Sequence, residues 1–292
     1  MLKRSILCLV PMCVFLGLFL SCRSGTGNGN GTTNGTAIII DHNCMKLSQI
    51  PQQWIDQAKS KLIIAYGHTS HGSQIISGME ALINFAGDLY SFNGEGSGNA
   101  LELRDTPFSG AHDLGNPDRE AWEQATRNYL DNNPEVNVII WSWCGQVSDA
   151  SESDIILYLS LMDGLEEDYP DNYFVYMTGH LDGTGLNANL HARNEQIRDY
   201  CAAHNKILYD FADIEMYNPD ATYFGDKIPN DNCDYDSDND GIRDSNWATE
   251  WQDSHPGEWF GCSCAHSQPL NCNQKAYAAW WLWSRLAGWI SS

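Results

Sequence analysis

The strongest constraint on this chain is an alternation. Short apolar strand patterns recur between helical patterns, and each strand pattern stops at a polar, glycine-rich segment. Residues 61–66 (KLIIAY) form a continuous apolar run, as expected of a strand buried on both faces. Weaker or equal signals follow at 101–103, 136–141, 173–177 and 207–211, and 38–40 is a further short β-type run. Between them lie helical patterns near 51–60, 75–83, 118–130, 153–165 and 189–204, and a last one rich in Trp and Ala near 273–286. Pro51 suits a helix start, and Trp54, Ile55 and Ala58 fall on one face of that first helix. This order predicts an α/β domain: a doubly wound, mainly parallel five-stranded sheet with helices on both faces.

In such a sheet, ligands sit beyond the carboxyl ends of the strands. Those ends carry HTSHG (68–72), SGAHDLGNP (109–117), WSWCGQ (141–146) and TGHLDGTG (178–185), which hold four of the nine histidines. Turn-making accounts for Gly, Asn and Asp there. It does not account for the histidines, nor for Ser70 set between two of them. A hydroxyl at this strand-to-helix corner stands where a helix N-terminus favours negative charge, and its own N–H is placed to donate to an oxyanion. Ser70 is therefore the candidate nucleophile. It needs a base. His68 and His71 are sequence neighbours on a turn and point apart, so His266, in the loop before the last helix, is the better candidate. His68, His71, His112, Asp113, Cys144 and His180 are the other candidates on this face.

On these residues the chain resembles the SGNH/GDSL-type serine hydrolases over about residues 60–290. The resemblance makes Ser70 the nucleophile, in Gly67-His68-Thr69-Ser70 where the family has Gly-Asp-Ser, and His266 the base, in Cys-Ala-His-Ser-Gln-Pro. It implies oxyanion donors from the N–H of Ser70 and of Gly115, with Gly110 the second choice. The family's Asn after the third strand is absent, which leaves Gln146 to supply that amide if the loop accommodates its extra length. The position three before His266 is Ser263 rather than Asp. Orientation of the imidazole then falls to Asp253, Glu258 or a backbone carbonyl. The implied activity is cleavage of a carboxylic ester, carried on a small molecule or a polysaccharide, with no catalytic cofactor. The missing Asp and Asn both favour a rival reading, a non-catalytic relative that keeps the fold and binds a glycan or a partner protein.

Residues 231–244 read DNCDYDSDNDGIRD. Asp236, Asp238 and Asp240 alternate, Gly241 follows, and Asp244 takes the ninth place of an EF-hand-like loop. Trp247 stands where the twelfth-position Glu would be. The pattern predicts a structural Ca2+ site within an insert at about 229–248. Cys262, Cys264, His266 and Cys272 are zinc-ligand types, which makes a zinc hydrolase a rival reading. Exported cysteines favour disulfides instead, with one local bridge among Cys262, Cys264 and Cys272 and Cys233 as a longer-range partner.

The amino terminus supports export. Lys3 and Arg4 precede an apolar run too short to span a bilayer comfortably. It ends Phe19-Leu20-Ser21-Cys22, which resembles a bacterial lipobox and implies an acylated Cys22. Residues 1–22 are thus read as a lipoprotein signal, 23–37 as a Gly/Asn/Thr tether and 38–292 as the folded domain. The expected location is the bacterial cell envelope, with membrane attachment through the lipid only. The formal charge of −22 argues against nucleic acid as a partner.

Overall fold

The computed structural model describes residues 35–290. The export signal, Cys22 and all but the last residues of the tether lie outside them. Within them runs a parallel sheet with helices on both sides. In chain order its strands are β1 (Ile38–Ile40), β2 (Ile63–Gly67), β3 (Phe92–Asn93), β4 (Leu101–Asp105), β5 (Val138–Trp141), β6 (Tyr173–Met177) and β7 (Ile207–Tyr209). The sheet order is β1-β7-β6-β5-β2-β4-β3, and every pairing is parallel. Seven strands replace the five expected. The two additions are edge strands: β1 joins β7, and the two-residue β3 joins β4. β3 is too short to carry a period of its own.

The helices are α1 (Gln52–Lys61), α2 (Ser73–Ala86), α3 (Ala121–Asn132), α4 (Glu152–Asp168), α5 (Asn189–Ala203), the one-turn α6 (Phe211–Ile214), α7 (Trp247–Ser254) and α8 (Pro269–Leu286). Strand period 2 sorts the core into two layers. Ile64, Tyr66, Val138, Ile140, Val175 and Met177 pack on the side of α1, α2 and α8. Ala65, Ile139, Trp141, Phe174, Tyr176 and Leu208 pack on the side of α3, α4 and α5. Helix α8 begins four residues before its expected start. Pro269 occupies its first turn, where a missing N–H costs nothing. Trp280 and Trp283 on this helix are wholly buried.

The chain leaves β2 toward β4 on one side, then returns through α3 to β5 on the other. The direction of winding therefore reverses at β2, whose two neighbours are β4 and β5. A crevice forms at such a reversal, and Ser70 comes just after β2 there.

The insert is more ordered than its charge suggests. Strands β8 (Asp234–Tyr235) and β9 (Ser245–Asn246) pair antiparallel around the Asp-rich loop. Phe224, Tyr235, Trp247, Trp251 and Leu270 form a small core beneath it. Helix α7, unannounced by the local pattern, starts at the Asn246 side chain, which accepts from the Thr249 N–H.

Candidate active site

Ser70 opens a single 3-10 turn (Ser70–Gly72) that leads into α2. The turn lies tight against the end of β5. A Cβ on Gly72 would come within 2.1 Å of Ser142 Oγ and 2.5 Å of His68 Cβ, so only glycine fits. The Ser70 hydroxyl is half-buried and its backbone N–H donates to no group among the described residues.

His266 reaches it from the far end of the chain. Its Nε2 lies 2.6 Å from Ser70 Oγ, across 196 positions of sequence. His266 adopts φ 61°, in the left-handed region that few non-glycine residues enter. The loop is fixed on both sides of it. Gln74 Nε2 donates to the Ala265 carbonyl, Asn271 Nδ2 donates to Ser267 Oγ at 2.7 Å, and the Ser267 N–H donates to the Cys264 carbonyl. The Cys264 and Cys272 sulfurs lie 2.08 Å apart, which ties the loop to α8.

These anchors run into a buried polar network. Lys275 and Glu215 are almost fully excluded from solvent, and Lys275 Nζ sits 2.6 Å from Glu215 Oε1. Lys275 Nζ also donates to Gln74 Oε1, the same amide that holds Ala265. Glu215 accepts from the Leu181 N–H at 2.7 Å and from Asn271 Nδ2 at 3.4 Å. The network thus supports both the His266 loop and the segment after β6. Sequence reasoning missed it, although a lysine inside a Trp/Ala-rich helix was a visible signal.

His71, one residue after Ser70, turns the other way. Its Nε2 lies 2.9 Å from Asp231 Oδ2 and its Nδ1 lies 3.6 Å from Cys144 Sγ. Its ring is stacked between His180, at 3.5 Å, and His266, at 4.5 Å. Burial pulls the His71 imidazole down, but Asp231 and Cys144 outweigh it and the net shift is upward. Burial raises Asp231 in turn, and hydrogen bonding to His71 with the nearby imidazoles brings it below the usual carboxylate range. His180 is held below the usual histidine range, by burial above all. Asp231 belongs to this cluster, although its sequence neighbourhood marks it only as part of the acidic insert.

Asp113 organises the neighbouring corner. It is buried, and it accepts from Thr69 Oγ1 at 2.6 Å, from the Gly115 N–H at 2.9 Å and from Gln146 Nε2 at 3.0 Å. Gln146 Oε1 accepts from the Cys144 N–H. Gly115 and Gln146 do come together as expected, but their donors face Asp113 rather than an open oxyanion position. The Ser70 N–H, at the head of the 3-10 turn, stays free among the described residues.

Other expectations part from the structure. His68 turns to Asp105 rather than to Ser70, with Nε2 2.6 Å from Oδ1. His112 is exposed, and among the described residues its side chain has no partner. Asp253 and Glu258 are exposed, and among the described residues no acceptor hydrogen-bonds His266 Nδ1. The zinc set does not assemble: Cys264 and Cys272 are joined to each other, and Cys262 Sγ lies against the Pro269 carbonyl. Cys233 is unpaired, with its sulfur 3.6 Å from Ser267 Oγ. In the insert, the carboxylates of Asp236, Asp238 and Asp240 converge within 4.8 Å of one another. Asp244 does not join them. Its carboxylate accepts from the N–H and hydroxyl of Ser237, both at 3.1 Å.

No protein-family model, curated protein or solved structure matches the chain.

Proposed function

We propose that the protein is an ester-cleaving serine hydrolase of the SGNH type, exported to the bacterial cell envelope and held there by a lipid on Cys22. The observation that carries this reading is the 2.6 Å contact between Ser70 Oγ and His266 Nε2. An alcohol and an imidazole at that distance can share a proton, which is what a serine nucleophile requires. Ser70 Oγ attacks the ester carbonyl while His266 Nε2 takes its proton. The Ser70 N–H and the start of α2 face the developing oxyanion. His266 then returns the proton to the leaving alcohol, and water releases the acyl group by the same route. The pinned loop and the stacked His71 ring hold the imidazole in place of the family's Asp. Because His266 is exposed, the scissile bond is met near the surface. That suits an ester carried on a large molecule, such as an acylated polysaccharide. The converging Asp236, Asp238 and Asp240 carboxylates fit a hard cation such as Ca2+, in a structural role.

A second reading is a glycan- or partner-binding relative without activity. It is favoured by the bare Nδ1 of His266 and by the engagement of Gly115 and Gln146 with Asp113. A fluorophosphonate probe separates the two. The hydrolase reading expects covalent labelling that vanishes in Ser70→Ala. Folded protein that takes no label favours the binder.

A further inference from the structure

The geometry points to a second nucleophile in the same crevice: Cys144, His71 and Asp231 form a thiol–imidazole–carboxylate relay that accepts an acyl group independently of Ser70. Cys144 Sγ lies 3.6 Å from His71 Nδ1, and His71 Nε2 lies 2.9 Å from Asp231 Oδ2. This is nucleophile, base and orienting acid in line, each within bonding reach of the next. Cys144 is only half-buried, whereas Cys44, Cys201 and Cys233 are buried. Its sulfur lies 3.9 Å from Ser70 Oγ, so an ester carbonyl brought to one nucleophile is beside the other.

The surroundings favour the ionised pair. Burial pushes the Cys144 thiol up, but its hydrogen bonding with His71 and Ser70 outweighs it and the net is downward, with Thr69 adding to the effect. The groups bearing on His71 are Asp231 and Cys144 by hydrogen bond, Glu215 by charge, and the His180 and His266 rings by stacking. A further observation marks a place for a ligand. His180 is 8% exposed, and its Nδ1 lies 2.8 Å from the Leu181 carbonyl. That contact puts the proton on Nδ1 and leaves Nε2 as a bare acceptor. Nε2 is buried without a partner, 3.9 Å from where a Gly145 Cβ would stand. An acceptor left without a partner among the described residues, beside the Cys144–Gly145 turn, is open to a donor on a bound molecule.

The step balances. The Cys144 proton passes to His71 Nδ1, and Sγ adds to the ester carbonyl. The carbon–oxygen bond breaks, the alcohol leaves with the proton from His71, and a thioester remains on Cys144.

The test is iodoacetamide alkylation at about pH 6, tracked residue by residue by mass spectrometry on the whole folded protein. Cys262 is the internal control, since burial pushes its thiol up to about 11. Cys144 is expected to react about tenfold or more faster in the parent than in Asp231→Asn, because an ordinary thiol is almost wholly protonated at that pH. In Ser70→Ala, incubation with p-nitrophenyl acetate should leave an acetyl group on Cys144 that neutral hydroxylamine removes. Equal alkylation rates in parent and Asp231→Asn, or no acetyl on Cys144 of the Ser70→Ala protein, overturns the proposal. The proposal shares its crevice with the serine hydrolase reading but not its reporter. Fluorophosphonate labelling reads Ser70 and alkylation reads Cys144, so either can fail alone.

Discussion

Replacing Lys275 by Met tests whether the buried network carries the site. Methionine keeps most of the apolar stem, which packs in a helix with no exposed face at this position. What is lost is the ammonium, 2.6 Å from Glu215 Oε1 and 3.7 Å from the centre of the Phe211 ring. Burial holds Lys275 below the usual lysine range and Glu215 pulls it back up. Without that cation, Glu215 keeps its donors from Leu181 and Asn271 but becomes a buried carboxylate with no counter-charge. Removing one partner of such a pair costs about 3–5 kcal/mol. For a domain of this size, 1 kcal/mol moves the melting temperature by about 2–4 °C, so a fall of roughly 6–20 °C is expected. Lys275→Met/Glu215→Gln should recover much of it, because no orphan charge remains. Thermal and urea melts give the energies. Fluorophosphonate labelling well below the melt gives the second readout. It should slow in Lys275→Met, because Gln74 loses the contact that steadies its hold on Ala265 beside His266. A single variant that melts within about 2 °C of the parent, or a double variant no better than the single, refutes the reasoning.

Other outcomes rest on named contacts. A Cβ on Gly78 would meet the Cys272 carbonyl oxygen at 2.1 Å, so Gly78→Ala must push α2 from α8 and should cost about 1–3 kcal/mol in a urea melt. The His71–Asp231 pair makes stability depend on pH in two windows. His71 is raised from 6.5, so its contribution is full below 6.5 and lost as pH rises through the higher folded value. Asp231 is lowered from 3.8, so its contribution is full above 3.8 and lost as pH falls through the lower folded value. Urea melts should therefore show the parent losing more stability than His71→Gln as the pH rises above 6.5, and equal slopes would count against the pair. Ca2+ is expected to raise the melting temperature, a chelator to lower it, and Asp236→Asn to abolish the difference, since Asp236 is buried and its carboxylate also receives the Asn239, Asp240 and Gly241 N–H groups. Identical melts with and without chelator would remove the cation from the account.

What the chain alone determined is local. β2, β5 and β6 are apolar runs whose period-2 faces split between two helical layers, and α1 to α5 reflect 3.6-residue spacing, because neighbours in sequence decide those patterns. The corner holding Ser70 and the late loop holding His266 were legible for the same reason: each sits where one pattern stops and another starts. Edge strand β3 was not, since two residues carry no period and only the exposed flank of β4 makes them a strand. Tertiary structure alone decided the rest. Asp231 meets His71 across 160 positions, and Lys275 meets Glu215 across 60. Cys272 takes Cys264 and leaves Cys262 and Cys233 unpaired, and Asp113 draws Gly115 and Gln146 away from the nucleophile. Such choices depend on side-chain directions at converging loop ends. The order of strands in the sheet sets those directions, and no local run of residues encodes them.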